Sequence, residues 1–462
     1  MLQIEKIIEA PSLSQIKAWK YNLELMPAQS PEVLVMETVL NSVDIHALRN
    51  SAAFLIQRHE SLRTRFPMIE GEIKQVIMPY DLLTFDINYL DLSNDTNWIN
   101  IVNSTRKNYF ECLRDLQNGP LVKMSLFKNN LGQFYFLFMI HHIICDAWSL
   151  NIITDELNRF YKKFKNDQEL IAEIPAFQLR DYTRKQNEYL FSRKENEIRF
   201  WNEKIGSIRG SLNVASIYTA LGMDTVEIEN KNINSMDALL RVLNKNKGAS
   251  LTLNVIDNQY SLIKDLIRKY KVTTSSILYV SYFLLFHFLT GKEKILIASP
   301  IGDRLTAKSK KIIGSLVGSI YLFQEFNRDL KIADFIHIVN LNFIRACRRI
   351  IFDHDYLNLD GDPLRSNCDL YLNYTNEEIN KGECKSMPGG PQANTEVYYA
   401  LACVVSEYKD GLSFKWQYNT ELFDEHIMNK IASLHRLILE LIHRNEMGSC
   451  LDIIVKLKEL KY

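Results

Sequence analysis

The sequence predicts an α/β protein with two lobes, on three observations. Its 462 residues are enough to bury a large core and to divide into two domains. Residues 134–140, FYFLFMI, form an aromatic-rich apolar run typical of a strand buried on both faces, and a helical stripe of Ile153, Leu157, Phe160, Tyr161 and Phe164 follows it. The second half repeats the alternation, with a strand pattern at 251–255, a helix at 259–270 and an apolar run at 277–289. That run is broken by Ser281 and His287 and is too short to span a bilayer, so it reads as a buried helix.

Composition narrows the partners. The 55 basic and 55 acidic residues cancel, so nothing points to a general nucleic-acid or anionic-membrane binder, while a locally charged docking patch stays open. The start, MLQIEKIIEA, lacks a basic n-region and an apolar core, so it is not a signal peptide. Seven cysteines, with no CxxC pair, fit a reduced, cytoplasmic protein without a zinc or redox site. No GxSxG elbow, Walker loop or GxGxxG turn occurs.

The elements follow in order. Ser12 or Ser14 is placed to cap a helix that carries Leu13, Ser14, Gln15 and Trp19. Residues 43–57 read as an amphipathic helix that runs into RHESLRTRF, 58–66. A strand at 121–127 pairs with 134–140 across the turn Asn129-Asn130-Leu131-Gly132. At the end of that hairpin stand His141 and His142, then Cys145, Asp146, Ala147 and Ser149. Adjacent strand residues face opposite sides, so one histidine can face a cleft while the other packs inward. An isolated histidine pair is more often a hydrogen-bonded core pair, and a free cysteine such as Cys145 is usually a small buried hydrophobe. Further on come Phe200-Trp201 after a charged helix, ILIASPIGDR (295–304), IGSLVGS (313–319), a late strand at 371–376, YNTELFD (418–424) and an amphipathic helix at 425–444.

HHIICDAWS resembles the HHxxxDG motif of the condensation domains of nonribosomal peptide synthetases, and RHESLRTRF resembles their RHExLRTxF. The segments QLRDY, FW, SPIGDR, IGSLVGS, DHDY and YNTELFD resemble later motifs in the family's order. The likeness fades only at about 207–249, where LGMDT resembles a carrier attachment site but has threonine in place of the modified serine. Ala147 stands where the family has glycine, and in the IGSLVGS segment Gly318, Tyr321 and Phe323 replace the family's Asn, Pro and Arg. Alanine keeps the N–H at that position and is strained only if φ is positive.

The resemblance implies two chloramphenicol-acetyltransferase-like lobes, 1–182 and 193–462, in a V shape with a tunnel between them. It implies acyl or peptidyl transfer from a carrier-protein pantetheine thioester to an amine, making an amide. His142 becomes the catalytic residue, while His141, Asp146, Ala147, Ser149 and Arg63 support it. Arg63 is the expected partner of Asp146, with Arg304 as the fallback, because a buried carboxylate needs a bidentate cation. No metal or tightly bound cofactor is expected, since the substrate arrives on the phosphopantetheine of a partner acyl or peptidyl carrier protein. The acceptor is a small amine or a second carrier-bound group, and the protein is a cytoplasmic monomer. The Met1 start and the short charged tail KLKELKY suggest a free-standing protein. The alternatives are ester formation, carrier-to-carrier condensation, and a non-catalytic relative that recruits partners to a carrier. Cyclisation relatives replace both histidines with aspartates, unlike this chain, whereas epimerisation relatives are less well excluded.

Overall fold

The structure, a computed structural model, describes residues 6–20, 33–80, 86–168, 174–205, 214–223, 247–352, 370–376, 400–445 and 447–459, besides Asn22, Leu170 and Thr225. The segment DHDY, most of 207–249, and Cys368 and Cys384 lie outside the described residues. The chain is a mixed α/β protein of two compact units. The first holds the N-terminal half to Lys194 together with Gly302–Gly318; the second holds Glu195–Ile301 and most of the chain from Ser319 onward.

In the first unit a four-stranded sheet is built from β1 (Val33–Leu40), β2 (Asn88–Asp91), β3 (Val122–Lys128) and β4 (Phe134–His141), in the order β1-β4-β3-β2. The histidine strand β4 is central and antiparallel to both neighbours, with His141 opposite Val33 and Ile140 opposite Val122. The hairpin turn closes on Gly132, whose φ of 75° needs a glycine, while Asn129 Oδ1 accepts from the N–H groups of Leu131 and Gln133.

Both faces of β4 are covered, which is why its apolar run does not alternate. Tyr135, Leu137 and Met139 pack with Trp98, Val102 and Leu113 of α3 (Trp98–Leu113). Phe136, Phe138 and Ile140 pack into a second cluster with Phe54 and Leu55 of α2 (Ile45–Arg58) and Ile153, Leu157 and Phe160 of α4 (Ala147–Lys165).

Local motifs fix the ends of these elements. Helix α1 (Leu13–Lys20) opens with a reciprocal cap, in which Ser12 N–H donates to Gln15 Oε1 and Gln15 N–H to Ser12 Oγ. Ser12, not Ser14, is therefore the cap. RHESLRTRF ends α2 and turns through a short 3-10 helix, Glu60–Arg63. His59 Nε2 lies 2.7 Å from Glu156 on α4 and Arg58 Nε 3.3 Å from the same carboxylate; Phe66 is buried, its carbonyl accepting from Trp19 Nε1. The motif thus clamps α2 to α4. The long helix α5 (Leu179–Ile205) follows, carrying Tyr182 near its start and Phe200-Trp201 near its end.

In the second unit a six-stranded mixed sheet has the order β5-β10-β9-β8-β6-β7. Its strands are β5 (Gly248–Ile256), β6 (Lys294–Gly302), β7 (Val317–Glu325), β8 (Leu370–Asn376), β9 (Leu401–Tyr408) and β10 (Gly411–Asn419). The apolar run at 277–289 lies inside α7 (Thr274–Thr290), buried along nearly its whole length and packed against α6 (Asp257–Tyr270), α8 (Ile332–Ala346), α9 (Glu425–Arg444) and α10 (Cys450–Glu459). Helix α7 stops at Gly291, whose left-handed backbone lets its N–H reach the His287 carbonyl. YNTELFD has an equally local reason: Asn419 O accepts from Leu422 and Phe423, and Asp424 caps α9 by accepting from Ile427 N–H at 2.8 Å. Among the described residues no single helix is long and apolar enough to cross a membrane.

Candidate functional site

The sheet delivers the two histidines to one end of β4, and their surroundings differ sharply. His141 is the last strand residue and wholly buried. Its Nδ1 accepts from Ile143 N–H at 3.0 Å, so the neutral ring carries its proton on Nε2, which has no partner. Burial, and behind it the adjacent His142, holds His141 far below the ordinary imidazole range, at about 3. His142 begins a 3-10 turn, His142–Ile144, and is only half-buried. Its Nδ1 lies 3.4 Å from Ser315 Oγ, and no group among the described residues bonds its Nε2. Cys145 is fully buried, and its burial pushes the thiol well above the usual range, which removes it as a nucleophile.

Asp146 caps α4 by accepting from Ser149 N–H at 2.8 Å and Ser149 Oγ at 2.7 Å. Its cation is Arg304, whose Nη2 lies 2.7 and 2.8 Å from the two carboxylate oxygens and whose Nε lies 3.3 Å from one of them. This corrects the expected pairing with Arg63. The Arg63 guanidinium instead donates to the Met78 carbonyl at 2.6 Å, beside Glu60, and Met78 directly follows the Gln75–Ile77 strand of the small sheet that also holds Ile7–Glu9 and Thr64–Arg65. Arg304 lies two residues beyond the end of β6 and is buried with Asp146, so the fallback partner is the real one.

Arg304 does more than neutralise Asp146. It donates to the carbonyls of Ser309, Ile312 and Gly314 and to Ser149 Oγ. Ser149 Oγ in turn accepts from Gly314 N–H at 3.0 Å, and Leu316 N–H donates to Asp146 Oδ2 at 3.1 Å. The segment Gly314–Ser315–Leu316 is therefore bolted to the histidine motif on both sides of Ser315. A side chain at Gly314 would place Cβ 2.5 Å from Leu179 Cδ1, so any larger residue there must displace the buried Leu179 side chain. Tyr182, from QLRDY, donates to Asp303 next to Arg304 at 2.7 Å, and burial and then Asp303 raise its phenol above the ordinary range.

Ala147 is the exposed first residue of α4 and is not among the positive-φ residues, so it bears no backbone strain. Sequence reasoning missed Glu156, which binds the Arg58-His59 pair, and Ser315. The fixed residues around Ser315 in IGSLVGS were the only signal for it. Among the described residues no group of three or more His, Cys, Asp or Glu side chains is arranged to hold a metal ion.

The buried histidines set an acid limit on stability. His435, in the core of the second unit with Nε2 against Ser281 Oγ, is likewise held at about 3 by burial. In both cases the folded value lies below the unfolded value of 6.5, so the unfolded chain binds the extra proton first. Stability is then complete above pH 6.5 and declines as pH falls toward 3, each histidine costing about 2 kcal/mol by pH 5. Urea midpoints measured at pH 7.5 and 5.0 should show the decline, and His141→Asn should reduce it. Equal midpoints at the two pH values would contradict this assignment.

The family model described as Condensation domain matches residues 25–450. A linear gramicidin synthase of Brevibacillus parabrevis is 24% identical over 451 residues, which cover 94% of this chain and 6% of that protein. Bacitracin synthase 1 of Bacillus licheniformis is 23% identical, over 86% of this chain and 7% of its own length. The chain thus spans under a tenth of the length of these curated relatives. Among solved structures, the X-domain from teicoplanin biosynthesis superposes with a TM-score of 0.71 at 15% identity, covering 95% of each chain. The epimerization domain from the third module of tyrocidine synthetase B gives 0.70 at 15%, over 96% of this chain and 98% of that one. The first condensation domain of the calcium-dependent antibiotic synthetase gives 0.68 at 12%, over 96% and 98%.

Proposed function

This chain belongs to the condensation domain family, and from that premise we propose that it transfers an acyl or peptidyl group from the phosphopantetheine thioester of a carrier protein to an amine. The observation that carries the reading is the contrast at the end of β4. His141 is buried with its Nδ1 occupied, Asp146 is saturated by Arg304, and His142 is the one of the two histidines that is not sealed in the core. In this reading the acetyltransferase-like lobes are 1–182 and 193–462, with 302–318 of the second counted in the first compact unit.

A thioester is already activated, so the protein has two tasks: aligning the reactants and handling one proton. The amine nitrogen attacks the thioester carbon, and its proton, made acidic as the C–N bond forms, passes to His142 Nε2. The C–S bond breaks, and Nε2 returns the proton to the departing thiolate sulfur, so the histidine ends as it began. An imidazole is too weak to strip a free ammonium efficiently, and the amine therefore enters neutral.

The acceptor in this reading is an untethered amine, oriented only by its own contacts with the protein and so showing a higher KM than a tethered one. The test incubates the protein with an acyl-loaded carrier and one amine offered in two forms, free and carrier-loaded, with intact mass reporting loss of the acyl group. Transfer to the free amine is expected. Turnover only with the loaded form would reject the free acceptor. Exchange of the donor α-proton with solvent deuterium and no transfer would reassign the protein to epimerisation. Carrier binding without any chemistry would make it a recruiting relative.

A further inference from the structure

We propose that Ser315 is a positioning residue for His142: its hydroxyl accepts the Nδ1 proton and holds the imidazole in the tautomer whose Nε2 lone pair is free to act. This rests on the reading of His142 as the base and names the group that makes it one.

The two adjacent histidines meet different neighbours at the same ring atom. At His141 a backbone N–H donates to Nδ1, which forces the proton onto Nε2 and leaves no lone pair there. At His142 the neighbour of Nδ1 is instead Ser315 Oγ at 3.4 Å, which can accept. With Nδ1–H directed at that oxygen, Nε2 is the basic atom. The contact is long, as is usual for catalytic hydrogen bonds before substrate is bound.

Ser315 is held well enough to impose this choice. Gly314 N–H donates to Ser149 Oγ, the Gly314 carbonyl accepts from Arg304, and Leu316 N–H donates to Asp146. Ser315's own carbonyl accepts from Ser14 Oγ at 3.1 Å, and Ser14 Oγ pairs with Ser12 Oγ at 3.0 Å at the start of α1. Ser315 is buried, and His142 is the partner of its hydroxyl. The Asp146–Arg304 pair therefore reaches the reacting atom through this segment: it fixes the backbone that fixes Ser315, which fixes the ring.

The experiment reads the tautomer directly, from ¹⁵N shifts of labelled histidine, with the His142 signals identified by their loss in His142→Ala. In the resting wild-type protein Nδ1 should appear protonated and Nε2 unprotonated. Ser315→Ala should move the pair toward the opposite tautomer and lower kcat about tenfold with KM for the loaded carrier unchanged, and Ser315→Thr, which keeps the hydroxyl, should recover most of the rate. A wild-type His142 protonated on Nε2, a Ser315→Ala protein with unaltered shifts and kcat, or a Ser315 found acylated by mass would each overturn the inference. If His142→Ala transfers at the wild-type rate, the base reading itself fails, and the tautomer result separates that failure from one confined to Ser315.

Discussion

His142→Ala is expected to lower acyl transfer by about 10²–10⁴-fold while leaving the melting temperature close to that of the wild type, the range a positioned base contributes. The ring is half-buried and, among the described residues, its hydrogen-bonding neighbour is Ser315, so removing it strands little that is buried. His141→Ala should behave in the opposite way. That side chain fills a fully buried site at the end of the central strand and accepts from Ile143 N–H, and its loss opens a cavity and strands the donor. The expected signature is a lower melting temperature with any loss of rate following the loss of folded protein. Steady-state transfer from a loaded carrier, measured beside thermal melts of both variants, decides the matter. A His142→Ala protein that transfers at full rate would move the base elsewhere, and a His141→Ala protein as stable as wild type would show that the two roles are exchanged.

The parts of this protein that were legible in its sequence are those in which the signal is periodic or local. The strand at 134–140 and the helix after it are marked by side chains whose burial follows from their own spacing. YNTELFD likewise is a turn and a helix cap that need nothing beyond a few neighbouring residues. Long-range pairing was less legible. RHESLRTRF offered Arg63 as an obvious cation for Asp146, because both lie in motifs of the same half, but which carboxylate an arginine meets depends on where its strand or turn points. Arg63 points to the Met78 carbonyl, and Arg304, 158 positions from Asp146, arrives from the end of β6. The strain-free placement of Ala147 depended on a backbone angle that a substitution alone does not reveal. Ser315 was hidden for a different reason: its hydroxyl matters through a histidine 173 positions away, and nothing in its own residue type marks it.

Arg304→Ala is expected to destabilise the first unit by about 3–5 kcal/mol, because it leaves Asp146 buried without its cation. Arg63→Ala should cost clearly less, since Asp146 keeps all its partners and the main loss is the hydrogen bond to Met78. Arg304→Lys should recover only a minor part of the loss. One guanidinium here serves both Asp146 oxygens, Ser149 Oγ and the carbonyls of Ser309, Ile312 and Gly314, and an ammonium on a single point cannot reach that fork of acceptors. Removing the charge on both sides should not restore stability either. In Arg304→Met with Asp146→Leu no ion is left unpaired, yet the Ile312 carbonyl and the N–H groups of Ser149 and Leu316 lose their partners, and buried unpaired backbone groups carry their own penalty. Urea midpoints of the four variants, followed by a first-unit probe such as the buried Trp19, test the ordering. Arg304→Ala unfolding at the wild-type midpoint, or Arg63→Ala as damaging as Arg304→Ala, would refute the assignment of Arg304 as the partner of Asp146. A double variant that regains wild-type stability would show instead that the pair contributes charge neutralisation alone and that the segment around Ser315 is held by other contacts.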